Sequence, residues 1–566
     1  MPFAPAIREQ RFVLDHVVRL DEIAAHDRFA AADSDTIDAV LEGIGEFAVG
    51  EWAPLNRLGD TEGPKWSADG VTMPAGYSAA YRAYVEGGWG TIASPQAYGG
   101  QGLPFVLAAA VLETLGSANC GFALAPTLTV GAIEALVHHG SAEQQVEYLP
   151  KLATGEWTGT MNLTESQAGS DVGALRTRAT PLADGGWSIK GTKIFISFGD
   201  HDLTDNIVHL VLARTPDAPA GTKGISLFLV PKVRRDGTAN DVRTVSIEHK
   251  LGLHASPTCV LSFGDHDDCI GELIGGEGGG MRAMFTMMNN ARLNVGLQGV
   301  QIAEAATQAA VAYATDRVQS ARAGSPSRAS VAIIEHPDVR RMVMRMKAQT
   351  QAARALVYLA AGQVDRAALG EDGAQDRLEL LTPLAKAHAT DLGVEVASLG
   401  IQVHGGMGFI EETGAAQFYR DARIMPIYEG TNGIQAADLV GRKLGLNGGA
   451  AFTALIADLR GEARDTALIA LIDACAAVGQ RLQGAEPDDR LAASYPFLTM
   501  LSVAVCGTLL ERQHRAASGD DAFAVSKRAV AVFYLAQLVP EALGLCAAAD
   551  APADQLYAIP AEAFAA

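Results

Sequence analysis

The apolar period changes along this chain in an order that restricts its folds more than any single motif does. Up to about residue 158 apolar residues recur at helical spacing. Thr36-Ile37-Asp-Ala-Val40-Leu41-Glu-Gly-Ile44 follows Asp33-Ser34-Asp35, whose side chains can cap a helix. The Ala-rich stretches 104–115 and 130–139 are expected as buried helices, and 95–103 as a Gly-rich loop. From 159 to 275 the chain turns to short β-branched and aromatic runs at 187–197, 207–213, 225–230 and 258–263. Gly185-Gly186, Gly221, Pro231 and Asp236-Gly237 punctuate them, which predicts an antiparallel β domain. From Met281 the helical period returns until about Arg442, and Gly445-Leu-Asn-Gly-Gly449 is expected as a linker. A further Ala/Leu-rich helical block fills 450–566, interrupted at 486–490 and 518–521. The expected fold class is therefore mainly α with a central antiparallel β domain and an appended C-terminal helical domain. Its expected domains are 1–158 (helical, with an N-terminal extension), 159–275 (β), 276–446 (helical bundle) and 447–566 (additional helices). This order is not the strand–helix alternation that builds a parallel sheet.

Composition removes several function classes. At roughly 150 residues per domain, 566 residues leave room for three or four domains. A formal charge of −21 repels phosphate backbones, so nucleic acid is excluded as a general partner, and an anionic membrane surface is disfavoured. With 48% apolar residues and 19% charged, wholesale disorder is excluded. The six cysteines are scattered, with no CxxC and no zinc-ligand spacing, so reduced thiols in a cytoplasmic protein are expected. The N-terminal residues mix charged with apolar side chains and lack the apolar core of a signal peptide. The longest largely apolar run, 497–510, is shorter than the roughly 20 residues that cross a bilayer, so no membrane span is expected there.

No P-loop, HExxH or GxSxG occurs. The Gly-rich run 275–280 has Met281 where a dinucleotide loop needs its third glycine, and is expected as a turn leading into a helix. Four segments carry chemistry-bearing residues. In Met161-Asn-Leu-Thr164-Glu-Ser-Gln-Ala-Gly169-Ser170-Asp171, two hydroxyls flank a glycine that admits close backbone approach. This suits a flat heterocycle or a phosphate, or simply a strand followed by a polar turn. Lys193-Ile-Phe195-Ile196-Ser197 reads as a strand. In Ile401-Gln402-Val403-His-Gly405-Gly406-Met-Gly-Phe-Ile410 a diglycine ends a helix, and His404 alone reads as a core or interface histidine. In Ile427-Tyr-Glu429-Gly430-Thr431-Asn432 one carboxylate stands among apolar residues; buried, it would have a raised pKa and could act as a base. Otherwise it is a surface glutamate at a turn.

The order and spacing of these segments, over roughly residues 40–445, resemble the acyl-CoA dehydrogenase family of flavoproteins. Thr164-Glu-x-x-Ala-Gly-Ser-Asp171 is similar to one family signature, and the stretch from Gln402 to Gly430 to another. The resemblance implies FAD as cofactor and an acyl-CoA thioester as substrate. It places Met161, Leu163, Thr164, Gly169 and Ser170 along the flavin, and Phe195, Ile196 and Ser197 on the strand packed against its ring. Many relatives have Trp where this chain has Phe195, and a smaller residue where it has Asn162. By the same resemblance Arg317 reaches the FAD pyrophosphate of a neighbouring subunit and His336 lies on the adenine side. Gln402, Val403, Gly405 and Gly406 form the pyrophosphate loop, and Thr431 and Asn432 add FAD contacts. Asn289 and Arg292 match the helix that meets the CoA pantetheine, although relatives often carry Asp at the Asn289 position. Ser170 and Gly430 complete the implied substrate contacts, and no metal is implied. The extra block 447–566 and Gly252-Leu-His-Ala-Ser-Pro-Thr-Cys259 resemble a larger bacterial branch. That branch includes 3-methylmercaptopropionyl-CoA and long-chain acyl-CoA dehydrogenases.

The resemblance implies α,β-dehydrogenation. Glu429 takes the α-proton, with its own N–H and a flavin ribityl hydroxyl holding the thioester oxygen. Hydride passes from Cβ to flavin N5, and electrons pass on to an electron-transfer flavoprotein. A homodimer or homotetramer working in fatty acid β-oxidation is expected. Three other readings stay open at this stage. An acyl-CoA oxidase would use the same base with O2 as acceptor. A nitroalkane oxidase shares the architecture but carries Asp as base, which Glu429 argues against. A non-catalytic helical interaction protein would keep only a vestigial flavin pocket.

Overall fold

The computed structural model describes residues 3–565, apart from the side chains at 285 and 287–289. The chain divides into two compact units, 42–291 and 3–41 together with 292–566. The first 41 residues, grouped from sequence with the N-terminal helical block, thus belong to the unit of the C-terminal blocks.

In the 42–291 unit, Phe105–Ala118 is buried almost all round, and Cys120–His139 and Ala142–Thr154 follow it. Ser141 and Gln144 close a reciprocal capping box at the start of Ala142–Thr154. A small hairpin of β1 (Lys65–Ser67) and β2 (Gly70–Thr72) precedes the main sheet. That sheet has eight strands: β3 (Thr158–Asn162), β4 (Arg178–Pro181), β5 (Trp187–Ser197), β6 (Ile207–Arg214), β7 (Ile225–Pro231), β8 (Val242–Ile247), β9 (Thr258–Phe263) and β10 (Ile270–Ile274). The path runs β10-β7-β6-β4-β5-β9-β8, and β10 also pairs with β5. Pairing is antiparallel as expected, except that β3 lies parallel to β6 and one β4–β6 pair is parallel.

β6 and β7 show why their sequences are continuous apolar runs rather than alternating ones. Val208, Leu210, Leu212, Leu227 and Leu229 enter a core with Leu136, Leu149 and Leu152 of the helices. Val211, Ala213, Phe228 and Val230 enter a second core with Ile189, Ile196, Leu261 and Phe263. Both faces are covered, so both registers must be apolar. The Gly-rich run ends as expected in a helix, Gly280–Asp316. A Cβ on Gly280 would stand 2.6 Å from the Ser226 carbonyl carbon, so only glycine lets the helix start there.

In the other unit, Gly280–Asp316 (from residue 292), Pro337–Ala368 and Ala374–His404 are the long helices. A Cβ on Gly299 would lie 2.2 Å from the Ala389 carbonyl oxygen, so that glycine permits the close crossing of two helices. The appended block adds Ala450–Glu462, Thr466–Gly484, Ser494–Ala516 and Ala522–Leu543. The expected linker at 445–449 is held down: Gln483 Nε2 donates to Leu444 O at 2.7 Å, and Asn447 bonds Asp376. Lys527, fully buried, donates to Glu9 at 2.6 Å and to Gln351 at 3.2 Å, which ties the N-terminal helix Ile7–Val13 into this block. The run 497–510 lies within the helix Ser494–Ala516, which is longer than the run itself and reaches spanning length. By length and composition alone, Cys120–His139, Ser494–Ala516 and Ala522–Asp550 could each cross a membrane. The first two are mostly buried within the protein, and the third is largely exposed. None of the six cysteines is in a disulfide.

Candidate active site

The segment 425–432 is a tight turn built to hold one carboxylate. Tyr428 N donates to Ile424 O at 3.2 Å, Asn432 N donates to Pro426 O at 2.9 Å, and the Tyr428 hydroxyl donates to Gln298. Thr431 caps the helix Asn432–Gly441 by accepting from Ile434 N. Between these anchors Glu429 takes φ 56° and Gly430 φ 84°. A left-handed glutamate costs on the order of 1–3 kcal/mol and persists only where the surroundings enforce it, which is a mark of functional sites. Among the described residues no hydrogen bond takes up the Glu429 N–H.

The electrostatics suit a base. Burial pushes the Glu429 carboxyl above the ordinary glutamate range, while the charges of Arg292 and Lys386 partly oppose that rise. Its side chain nevertheless retains partial solvent access. Arg292 is buried, with Nε unpartnered among the described residues, and its Nη2 lies 3.8 Å from where a Gly430 Cβ would stand. A Cβ there would also come within 2.8 Å of Gln435 Nε2. Gly430→Ala is accordingly expected to slow flavin reduction by about 10–10²-fold in stopped-flow absorbance, through misplacement of its neighbour. Asn289 lies outside the described side chains.

The Asn432 side chain is engaged within the protein. Its Nδ2 donates to Ala387 O, Thr390 Oγ1 and Asp391 Oδ1 at 3.0, 2.9 and 2.8 Å, and its Oδ1 accepts from Lys386 Nζ at 2.8 Å. With every side-chain donor taken by protein, this amide is a hub between helices. Among the described residues no acceptor takes the Thr431 hydroxyl hydrogen while its oxygen caps.

The same unit holds Gln402, Val403, Gly405, Gly406, Arg317 and His336. Gln402 and Val403 end the helix Ala374–His404, with Gln402 exposed and Val403 buried. Gly405 takes φ 60°, and a Cβ on Gly405 or Gly406 would meet nothing within 4 Å, so this backbone is open to a bulky anion. The His404 ring packs 4.5 Å from Tyr313, and His404 Nδ1 bonds Gly400 O, the satisfied histidine expected. Tyr313 leads to exposed Arg317, whose carbonyl accepts from Ile333 N at 2.7 Å. His336 shares that hairpin and bonds Gln319 O at 2.7 Å.

In the 42–291 unit, β3 carries half-buried Met161 and leads into Leu163 and Thr164. Glu165 and Ala168 exchange backbone hydrogen bonds of 3.0 Å, so the chain reverses and leaves Gly169 and Ser170 exposed. A buried ion pair fixes this turn to β5: Lys193 Nζ lies 2.9 Å from Glu165 Oε1 and 3.0 Å from Leu163 O. Burial alone would raise the Glu165 carboxyl. Lys193, Thr177 and the Arg176 N–H hold it instead down to about 2. β5 then bulges between Lys193 and Ile196, and Phe195 takes φ 61° with 59% of its surface exposed. An aromatic ring pushed out of a strand by a strained backbone offers a face to a flat partner. Ile196 instead points into the second core, so it buttresses that bulge, and Ser197 is half-buried opposite Thr258. Within the 42–291 unit the exposed Phe195 and the open Gly169–Ser170 edge suit the flat ring of a flavin, and within the other unit the open Gly405–Gly406 backbone suits an anionic group.

Sequence reasoning missed the Glu165–Lys193 pair, and Lys386 with Asp391. The available signal was charge inside apolar runs, since a charge there must be paired or shifted.

The helical, β and helical order is that of the acyl-CoA dehydrogenase class of flavoenzymes. Models of the acyl-CoA dehydrogenase N-terminal, middle and C-terminal domains match residues 35–156, 160–266 and 278–444. A model of the acetyl-CoA dehydrogenase C-terminal like domain matches 450–560. The chain is 45% identical to 3-methylmercaptopropionyl-CoA dehydrogenase of Ruegeria pomeroyi over 96% of its length and 97% of that protein. It is 38% identical to a butyryl-CoA dehydrogenase of Syntrophomonas wolfei over 94% of each chain. An acyl-CoA dehydrogenase from Bacillus anthracis complexed with FAD shares the fold, with TM-score 0.74 and 23% identity over 92% of this chain and 88% of that one. The chain belongs to the acyl-CoA dehydrogenase family. It is an FAD-dependent enzyme that dehydrogenates acyl-CoA.

Proposed function

We propose that this enzyme removes the α-proton of a short thioether acyl-CoA, of the 3-methylmercaptopropionyl type, with Glu429 as base, and yields the 2-enoyl-CoA. The carrying observation is the strained, clamped carboxylate: a left-handed Glu429 with its pKa raised by burial and two cations nearby. The α-proton of a thioester is weakly acidic, so a base whose pKa approaches the working pH gains driving force. Arg292 and Lys386 favour the ionised form that acts as base. The free Glu429 N–H is suited to hold the thioester oxygen as charge develops there. FAD, when bound, supplies the two-electron acceptor that takes the hydride from the β-carbon. By the family resemblance Met161, Thr164, Ser170, Phe195 and Ser197 would contact its ring and Gln402, Gly405 and Gly406 its pyrophosphate, while Arg317 would reach the pyrophosphate of a neighbouring subunit's FAD and His336 would lie on the adenine side.

The substrate reading rests on the 45% identity to the Ruegeria enzyme across nearly the whole of both chains. Family resemblance supports an electron-transfer flavoprotein as acceptor and a homodimer or homotetramer, and six cysteines outside any disulfide suit a cytoplasmic setting. A panel of short, long, aromatic and thioether acyl-CoAs, read by anaerobic flavin bleaching, tests the proposal. The thioether substrate is expected to bleach fastest, with little peroxide per turnover in air. Preference for long straight chains would overturn the substrate, and stoichiometric peroxide would overturn the acceptor.

A further inference from the structure

We infer that Tyr495, in the appended helical block, is a positioning residue for the catalytic base, acting through Asp391, Asn432 and Lys386. The inference rests on the reading of Glu429 as base and gives the block 447–566 a part in the reaction. The chain of contacts is continuous and lies within one compact unit. The Tyr495 hydroxyl, near the start of the helix Ser494–Ala516, donates to Asp391 Oδ2 at 2.6 Å. Asn432 Nδ2 donates to Asp391 Oδ1 at 2.8 Å, and Asn432 Oδ1 accepts from Lys386 Nζ at 2.8 Å. Lys386 also donates to Met425 O at 2.9 Å, at the foot of the turn that carries Glu429. Lys386 and Asp391 stand five residues apart on the helix Ala374–His404, the Asn432 amide bridges them, and Lys386 is fully buried.

The groups that act on this chain come from several elements. Glu429 feels Arg292 and Lys386. Lys386 feels Glu429, Asp391 and Arg292. Asp391 faces Tyr495, Asn432, Lys386 and Arg423. Burial draws Lys386 down to about 8, with Glu429 and Asp391 resisting that fall. Burial likewise raises Asp391, and the Tyr495 and Asn432 donors oppose the rise. Removing the Tyr495 hydroxyl deprives the Asp391 carboxylate of one donor, so Asp391 takes up a proton more readily. Without that anchor Asn432 and Lys386 are held less firmly against the turn that carries Glu429, and Lys386, with less support from Asp391, keeps less of its charge. Glu429 then feels less of the cation that favours its ionised form, and its pKa rises. Buried polar networks of this kind transmit charge changes more strongly than surface ones.

The test is the pH profile of anaerobic flavin reduction by a saturating acyl-CoA, on the full-length FAD-loaded enzyme. Tyr495 is 40% exposed, so Tyr495→Phe leaves no core cavity, and FAD content and thermal midpoint are expected to stay as in the parent. The acidic limb is expected to move up by about half a pH unit or more, which lowers the rate on that limb about threefold, with the alkaline plateau unchanged. Asp391→Asn is expected to move it in the same direction, and Tyr495→Phe added to Asp391→Asn is expected to add nothing. An unshifted limb in Tyr495→Phe, beside an inactive Glu429→Gln, overturns the relay and leaves the base standing. Additive shifts in the double variant also overturn it. An active Glu429→Gln overturns the base itself, and the relay with it.

Discussion

Glu429→Gln is expected to fold, to keep its FAD and to slow anaerobic flavin reduction by acyl-CoA by about 10²–10⁴-fold. The amide preserves the shape of the turn, because the anchors at Tyr428, Thr431 and Asn432 lie outside the carboxyl group. It cannot accept a proton at any working pH, so the loss falls on the rate of reduction and not on substrate affinity. In the parent the sign of the pH dependence follows from the raised carboxyl pKa. The rate rises with pH as Glu429 ionises, and its midpoint lies above that of an ordinary glutamate. A variant with near-parental bleaching would remove Glu429 from the mechanism, and Arg292, buried beside it, would lose its assigned partner.

The second large effect is on stability. Glu165→Gln should destabilise the 42–291 unit by about 3–5 kcal/mol, because Lys193 would be left buried without its counter-charge. Neither partner has an alternative in water: the Lys193 side chain is 0% exposed and that of Glu165 6%. The carboxylate also receives Arg176 N at 2.7 Å, Thr177 N at 3.0 Å and Thr177 Oγ1 at 2.6 Å, donors that a neutral amide satisfies poorly. The folded-state pKa of Glu165 lies below its ordinary 4.5, at about 2. The pair's contribution is therefore complete above the ordinary value and is lost as pH falls from there towards 2. Thermal unfolding followed by circular dichroism, with flavin release by fluorescence, checks both statements. A variant as stable as the parent would mean that the turn at 163–171 is held by backbone contacts alone. Lys193→Met added to Glu165→Gln should recover part of the loss, since it removes the unpaired charge while the amide oxygen still accepts from the Arg176 and Thr177 donors.

Much of the architecture was legible from residue order. The Asp33 cap was readable, since its Oδ1 accepts from Thr36 N at 2.8 Å. The apolar runs at 207–213 and 225–230 became β6 and β7, and Gly275–Gly280 became the turn into a long helix. These are local properties: period, capping and backbone freedom act over a few residues and leave their mark there. The parallel placement of β3 against β6 was not legible, because strand direction depends on where the chain returns and not on its own side chains.

The candidate site divides along the same line. Residue types and their order sufficed to single out Glu429, the diglycine after His404 and the hydroxyl-rich turn after β3. That Glu429 and Phe195 sit in left-handed backbone is a product of the anchors around them. That Asn432 serves Asp391 and Lys386, and that Tyr495 reaches the same network from the appended block, also required coordinates. A hydrogen bond between residues a hundred positions apart leaves no periodic trace in a single sequence. Its strength depends on burial, which the packing of helices alone decides. The amino-acid order by itself thus determined the kinds of element, their succession and the acid available for chemistry. Only the tertiary structure decided which buried charges surround that acid, because low dielectric and close approach arise when distant segments meet.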